Sequence, residues 1–214
     1  MKVLVVLGGD PPGSTLLEWR LQEADFSIAA DAGMKAFDEA GLEPDLLIGD
    51  MDSFELGETS LVCEVEHLED QDRTDFQKAL DRPEVRCAEE VTILGGTGGR
   101  SDHFLSNLMI SAGLDGEKKV QFDAEGEIIH RVTPERSLVL QGLMGQTVSL
   151  IPLGACEGVT ATGFRWPLTS ACMGPGSSLS QSNLAEAEDC EVRIESGTLF
   201  VVVLKHSACS AGGS

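Results

Sequence analysis

Short apolar runs alternate with amphipathic stretches through the first half of the chain. Val3–Leu7, Ser27–Ala30, Leu46–Ile48 and Val91–Leu94 read as buried strands, and each runs into glycine or aspartate. Between them, Thr15–Glu23, Met34–Ala40, Thr74–Leu80 and Asp102–Ala112 carry helical spacing. This alternation predicts an α/β N-terminal domain, a mostly parallel sheet flanked by helices. Ligands of such sheets sit beyond the carboxyl ends of the strands, which is where the Asp and Gly clusters fall. The pattern changes near Gly116. Val120–Phe122, Ile128–Val132, Ser137–Leu140, Thr147–Ile151, Glu191–Glu195 and Leu199–Leu204 are short β-rich runs punctuated by Gly or Pro. They predict an all-β C-terminal domain, a small antiparallel sandwich or barrel. The expected division is 1–118, 119–206 and a small, polar, disordered tail at 207–214.

Charge narrows the function classes. Fifteen Lys and Arg stand against 36 Asp and Glu, a formal charge of −21. Such a surface repels phosphate backbones and anionic lipid, which argues against nucleic-acid and membrane partners. A nucleotide remains compatible, because a metal ion and a few basic groups can invert the potential inside one cleft. The six cysteines, at 63, 87, 156, 172, 190 and 209, contain no C-x-x-C pair and suggest neither zinc nor a disulfide scaffold. Met1–Leu7 is too short for a signal h-region, and no stretch reaches membrane-spanning length. A reduced, cytoplasmic protein is expected.

Three segments carry candidate chemistry. In Gly49-Asp50-Met51-Asp52-Ser53, the carboxylates at 50 and 52 point the same way from an extended or turned chain. They suit a hard cation such as magnesium, although most such pairs are simple turn residues. In Gln71-Asp72-Arg73-Thr74-Asp75, Thr74 is a predicted N-cap with Gln77 completing a capping box. Thr74 and Asp75 either start a helix and nothing more, or face a bound anion, with Asp75 completing a metal site. Lys78, one turn on, either reaches a phosphate or is solvated. The third segment runs Gly95-Gly96-Thr97-Gly98-Gly99-Arg100-Ser101-Asp102-His103 and ends at Asn107. Its glycines allow backbone N–H groups to approach phosphates, and Arg100 supplies a charged fork. No Gly-Lys-Ser/Thr follows, so it is not a Walker loop. His103 and Asn107 share a helix face, where a cap or a packed side chain is the bland alternative.

Taken in order, these motifs resemble the thiamine pyrophosphokinase family. The resemblance rests on Ala30-Asp31-Ala32-Gly33, Pro44-Asp45, Ile48–Ser53, Gln71–Asp75 with Lys78-Ala79-Leu80, and Gly98–His103 with Asn107. It continues in Leu150–Gly154, Gly163-Phe164-Arg165-Trp166-Pro167-Leu168 and Ser182-Asn183, spanning roughly 1–204. It implies an ATP- and magnesium-binding catalytic domain, a thiamine-binding β-sandwich, and a homodimer with thiamine at the interface. By motif, Asp50, Asp52 and Asp75 take the metal, joined by Arg100 in catalysis. Asp31, Thr74, Lys78, Arg100, Asp102, His103 and Asn107 bind ATP, while Gln71, Trp166, Ser182 and Asn183 bind thiamine. An aromatic face suits a cationic thiazolium and a flat pyrimidine, although Trp166 also reads as an ordinary core residue. The implied reaction is in-line attack of the acceptor hydroxyl on the β-phosphorus of ATP, with Asp72 and Asp102 as candidate bases. Several positions depart from the family pattern: Asp31-Ala32-Gly33-Met34-Lys35 stands where Asp-Gly-Gly-Ala-Asn is usual, losing the asparagine at Lys35, Leu184 stands for a glutamate, and Arg73 for a small hydroxyl residue. They motivate two alternatives, a pyrophosphokinase for another alcohol such as a hydroxymethyl pterin, and a silent nucleotide- or thiamine-binding module.

Overall fold

A computed structural model describes residues 1–50, 63–68, 70–177 and 180–205. The chain divides into two units, Met1–Glu125 and Gly126–Ser214.

The first unit is built on strands β1 (Lys2–Val6), β2 (Phe26–Ala30), β3 (Leu46–Gly49), β4 (Glu64–His67), β5 (Glu90–Leu94) and β6 (Lys119–Asp123). Every pairing among them is parallel, in the order β6-β5-β1-β2-β3-β4. Helices α1 (Ser14–Glu23), α2 (Met34–Ala40), α3 (Asp75–Leu80), α4 (Pro83–Arg86) and α5 (Ser101–Ala112) connect them, with a 3-10 turn at Asp31–Gly33. The strands read as apolar runs because both faces are covered. Val3 to Val6 are all buried, and Leu16 and Leu17 of α1 join Leu4, Val6, Ala29 and Phe37 in one core. From β1 the chain moves outward through β2, β3 and β4, then returns to place β5 on the other side of β1. The reversal opens a crevice between the carboxyl ends of β1 and β5, the topological switch point of the sheet.

The second unit contains β7 (Glu127–Val132), β8 (Leu138–Gln141), β9 (Thr147–Pro152), β10 (Cys156–Thr162), β11 (Leu168–Met173), β12 (Ser180–Leu184), β13 (Asp189–Arg193) and β14 (Leu199–Leu204). They form two antiparallel arrays, β12-β9-β14-β7 and β11-β10-β13-β8. Alternate residues from both, including Val148, Leu150, Val159, Val192 and Val201, share one core. The expected boundary at 118/119 is displaced to Glu125/Gly126, because Lys119–Phe122 pairs in parallel with β5. The tail at 207–214 and Asp52 lie outside the described residues.

Candidate active site

A cleft of about 530 Å³ occupies the crevice at the switch point. Gly8 and Gly9 after β1, Asp31 after β2, and Gly95, Gly96, Gly98 and Gly99 after β5 form its walls. The two glycine segments are stitched together by main-chain bonds. The Leu7 N–H donates to the Leu94 carbonyl at 2.8 Å, Gly9 N–H to Gly95 O at 2.8 Å, and Asp10 N–H to Thr97 O at 3.1 Å. Asn107, one turn beyond His103 on α5, donates its side-chain amide to Gly96 O at 3.0 Å and braces the loop from below. The N-cap of α5, Arg100, contributes no side-chain cap. First-turn N–H groups of a helix carry partial positive charge, so this end of α5 suits an anion. Arg100, His103 and Asn107 all line the cleft. Sequence reasoning missed Gly8 and Gly9, although a buried strand running into Gly-Gly carried the signal already noted after β5. It also missed Phe104, whose ring adds an apolar wall.

Asp31 is the most unusual group in the cleft. It is only 7% exposed, its Oδ1 has no hydrogen-bond partner, and its φ is +44°. A carboxylate that is desolvated, unpartnered and left-handed costs free energy on three counts. Such costs persist mainly where a ligand or cation completes the site. Asp75 also lines the cleft, at the start of α3. Asp50 follows β3, beside Asp31's strand, and its main-chain carbonyl lies 3.0 Å from His67 Nε2. Its side chain is not part of the cleft wall. Among the described residues no group of three or more His, Cys, Asp or Glu is gathered as for a metal. The proposed set of Asp50, Asp52 and Asp75 includes Asp52, which is not described. The donor chemistry fits a hard divalent cation nonetheless: every candidate ligand is a carboxylate oxygen, and Asp31 holds one in reserve.

Thr74 and Gln77 form the predicted capping box. Gln77 N–H donates to Thr74 Oγ1 at 3.2 Å, and Thr74 N–H to Gln77 Oε1 at 3.0 Å. This cap fixes where Asp75 enters the cleft. Thr74→Ala is expected to cost about 1 kcal/mol, read as a lower urea midpoint with unchanged m-value. Lys78 departs from both expectations. It is 3% exposed, and its Nζ donates to Asp75 Oδ1 at 2.9 Å. The six-residue α3 buries Phe76, Lys78, Ala79 and Leu80, so the ammonium is held against Asp75 and does not line the cleft. Gln71 is exposed, and Arg73 is held by Asp70 at 2.6 Å and by Asp81.

Asp102 sits beside the cleft, where its carboxylate grips Arg100 at 2.6 and 3.1 Å. The Arg100 hydrogen bonds lower the Asp102 pKa to about 2. So long as that pair holds, Asp102 is ionised throughout the neutral range. What separates it from Arg100 is a competing anion, not a change of pH.

In the second unit Trp166 is 57% exposed and is not a core residue. Its neighbour Arg165 lies 5.7 Å from the ring centroid and pairs with Glu186 at 2.6 Å. Asn183 is buried, bonded to the Trp166 main chain on both sides, and Ser182 adopts φ +54°. Trp166, Ser182 and Asn183 are thus brought together. Lys35 is exposed on α2, and Leu184 is half-buried on β12.

Comparison with known proteins matches this arrangement at both ends of the chain. The thiamin pyrophosphokinase catalytic-domain family model matches residues 17–121, and the thiamin pyrophosphokinase vitamin B1 binding-domain model matches 129–199. Thiamine pyrophosphokinase 1 of Oryza sativa subsp. japonica is 30% identical over 183 residues, covering 77% of this chain and 67% of the relative. The Bacillus subtilis (strain 168) thiamine pyrophosphokinase is 27% identical over 191 residues, covering 86% and 89%. The crystal structure of the thiamine pyrophosphokinase from Bacillus subtilis shares the fold, with a TM-score of 0.80 at 24% identity, covering 97% of this chain and 100% of that one. With both of the family's domains matched in order, from residue 17 to residue 199, this chain belongs to the thiamin pyrophosphokinase family.

Proposed function

We propose that this chain transfers the pyrophosphoryl group of ATP to the hydroxyl of thiamine, giving thiamine diphosphate and AMP. The observation that carries the reading is the cleft at the switch point, lined by a braced glycine loop, a helix N-terminus, Arg100 and the buried carboxylate of Asp31. Backbone N–H groups and Arg100 receive the phosphates, and the exposed Trp166 offers thiamine a flat, electron-rich face. The acceptor oxygen forms a bond to the β-phosphorus as the bond from that phosphorus to the bridging oxygen breaks. AMP leaves with that oxygen, and the hydroxyl proton is released.

Asp75 and Asp31, which both line the cleft, would hold Mg²⁺ there; Asp50 and Asp52 join them only by motif. Magnesium supplies charge neutralisation on the triphosphate. The remaining work is done by the chain. Asn107 and the cross-strand bonds keep the glycine loop in place, Lys78 fixes Asp75, and Asp102 aims Arg100 until a phosphate competes for it. The vitamin B1 binding-domain match disfavours a pterin acceptor. Homodimerisation belongs to this reading, and mass photometry tests it. No helix among the described residues is long and apolar enough to cross a membrane.

Incubated with ATP, magnesium and thiamine, the protein is expected to form AMP and thiamine diphosphate one for one. Release of ADP with thiamine monophosphate would replace the reaction by simple phosphoryl transfer. Binding without AMP release would leave a silent module, and faster turnover of a hydroxymethyl pterin would change the acceptor.

A further inference from the structure

Asn183 is 1% exposed, yet all of its side-chain hydrogen-bonding capacity is spent inside the second unit. Its Oδ1 accepts from Trp166 N–H at 3.1 Å and from Leu184 N–H at 2.9 Å. Its Nδ2 donates to Trp166 O at 2.8 Å and to Ser180 Oγ at 3.2 Å. The setting explains why a side chain is used. Residues 163–165 run against 184–187 as a short ladder: Glu186 N–H to Gly163 O at 2.8 Å, Arg165 N–H to Leu184 O at 2.8 Å, and a bridge between Phe164 and Ala185. At Trp166 that ladder stops. The β12 backbone turns away through the left-handed Ser182 (φ +54°), with a register shift between Ser180 and Asn183. The carboxamide of Asn183 then stands in for the missing peptide group, offering Trp166 one acceptor and one donor as a neighbouring strand would.

We infer that Asn183 is a positioning residue for the thiamine site: a side-chain amide that extends the ladder by one residue and fixes the main chain carrying the exposed Trp166 indole. This rests on the reading that thiamine packs on Trp166. It replaces the direct thiamine contact expected of Asn183 from its motif, since a buried carboxamide with four partners has no capacity left for a ligand. Arg165 and Glu186 steady the same segment from the solvent side.

The test uses the full chain with Trp19→Phe, which leaves Trp166 as the one remaining indole of two. Loss of the two bonds to Trp166 in Asn183→Ala is expected to raise the thiamine KM about tenfold. The kcat at saturating thiamine and the ATP KM should stay within about twofold, and the Trp166 fluorescence anisotropy should fall. Asn183→Asp keeps both acceptor bonds but sets a buried carboxylate oxygen against Trp166 O, so its thiamine KM should be at least as high as that of Asn183→Ala. A merely structural role would lower kcat and weaken ATP together, which overturns the inference. An unchanged thiamine KM in Trp166→Ala overturns the placement of thiamine on Trp166 and the inference with it. A raised KM there beside an unchanged one in Asn183→Ala overturns the inference alone. Should the Asn183 variants fail to fold, NMR hydrogen exchange on the parent decides the matter. The Trp166 N–H and the Asn183 side-chain NH₂ are expected to be protected without thiamine. Protection that appears only after thiamine is added makes Asn183 a ligand and overturns the proposal.

Discussion

Asp31→Asn is expected to cut kcat/KM for pyrophosphoryl transfer by about 10²–10³-fold, while raising thermal stability. The two effects have one origin. The parent side chain is 7% exposed, carries an oxygen with no partner, and sits at φ +44°. Asparagine has the same shape and tolerates the left-handed region about as well as aspartate, so the backbone need not move. It removes the desolvated charge, a relief of about 1–2 kcal/mol, and so a Tm rise of roughly 2–8 °C. Among the described residues it also removes the one buried carboxylate lining the cleft, and with it the cation affinity proposed for that group. Differential scanning calorimetry and initial rates at fixed ATP check the two halves separately. A variant that loses activity and stability together would show that Asp31 holds the 3-10 turn in shape and has no role toward the ligand.

The sequence made β1, β2, β3 and β5 legible because both faces of each are buried, so an apolar run cannot be mistaken for solvent-facing chain. The residues that follow β2 and β5, Asp31 and the glycines from Gly95, do line the cleft, whereas Gly49 and Asp50 after β3 do not. Edge positions were hidden for the opposite reason. Strand β4, Glu-Val-Glu-His, has a mostly exposed pattern and resembles a loop. Strands β10 to β12 are rich in Ser, Thr, Ala and Cys, which give little apolar contrast between the faces.

Within the site, local signals were readable and tertiary ones were not. The capping box lies within four residues and was visible as spacing. The pairing of Lys78 with Asp75 is also local at i,i+3, but which side of α3 is buried depends on what packs against it. The bonds between Asn183 and Trp166 join residues 17 apart through a strand register that no local pattern encodes. Asp31 was visible by motif, whereas its orphan oxygen and left-handed backbone required the fold. Position 118 lost the domain boundary because a β-rich run does not reveal whether its partner is parallel or antiparallel.

Gly95→Ala should cost the protein about 4 kcal/mol, the largest stability loss expected of any single methyl group in the cleft. Gly95 has φ +62°, where an L side chain costs about 1–2 kcal/mol. An added Cβ would also overlap the carbonyl oxygen of Leu7, which is backbone and cannot rotate aside. Relieving that overlap means parting β1 from β5, a further overpacking cost of about 1–3 kcal/mol. The bonds from Leu7 to Leu94 and from Gly9 to Gly95, both 2.8 Å, would lengthen with it. Those bonds hold the two cleft-lining glycine segments together, so under the proposed reading the ATP KM should rise at least tenfold even at temperatures where the variant remains folded. At about 2–4 °C per kcal/mol for a chain of this size, the Tm should fall by roughly 8–16 °C. Gly113→Ala is the control. Its φ of −81° is ordinary, and its added Cβ would meet nothing closer than Ile110 O at 3.5 Å, so stability and ATP KM should hardly change. Equal melting temperatures for the two variants would mean that the strand ends at the switch point are not braced against one another, and the nucleotide cleft would lose its physical basis.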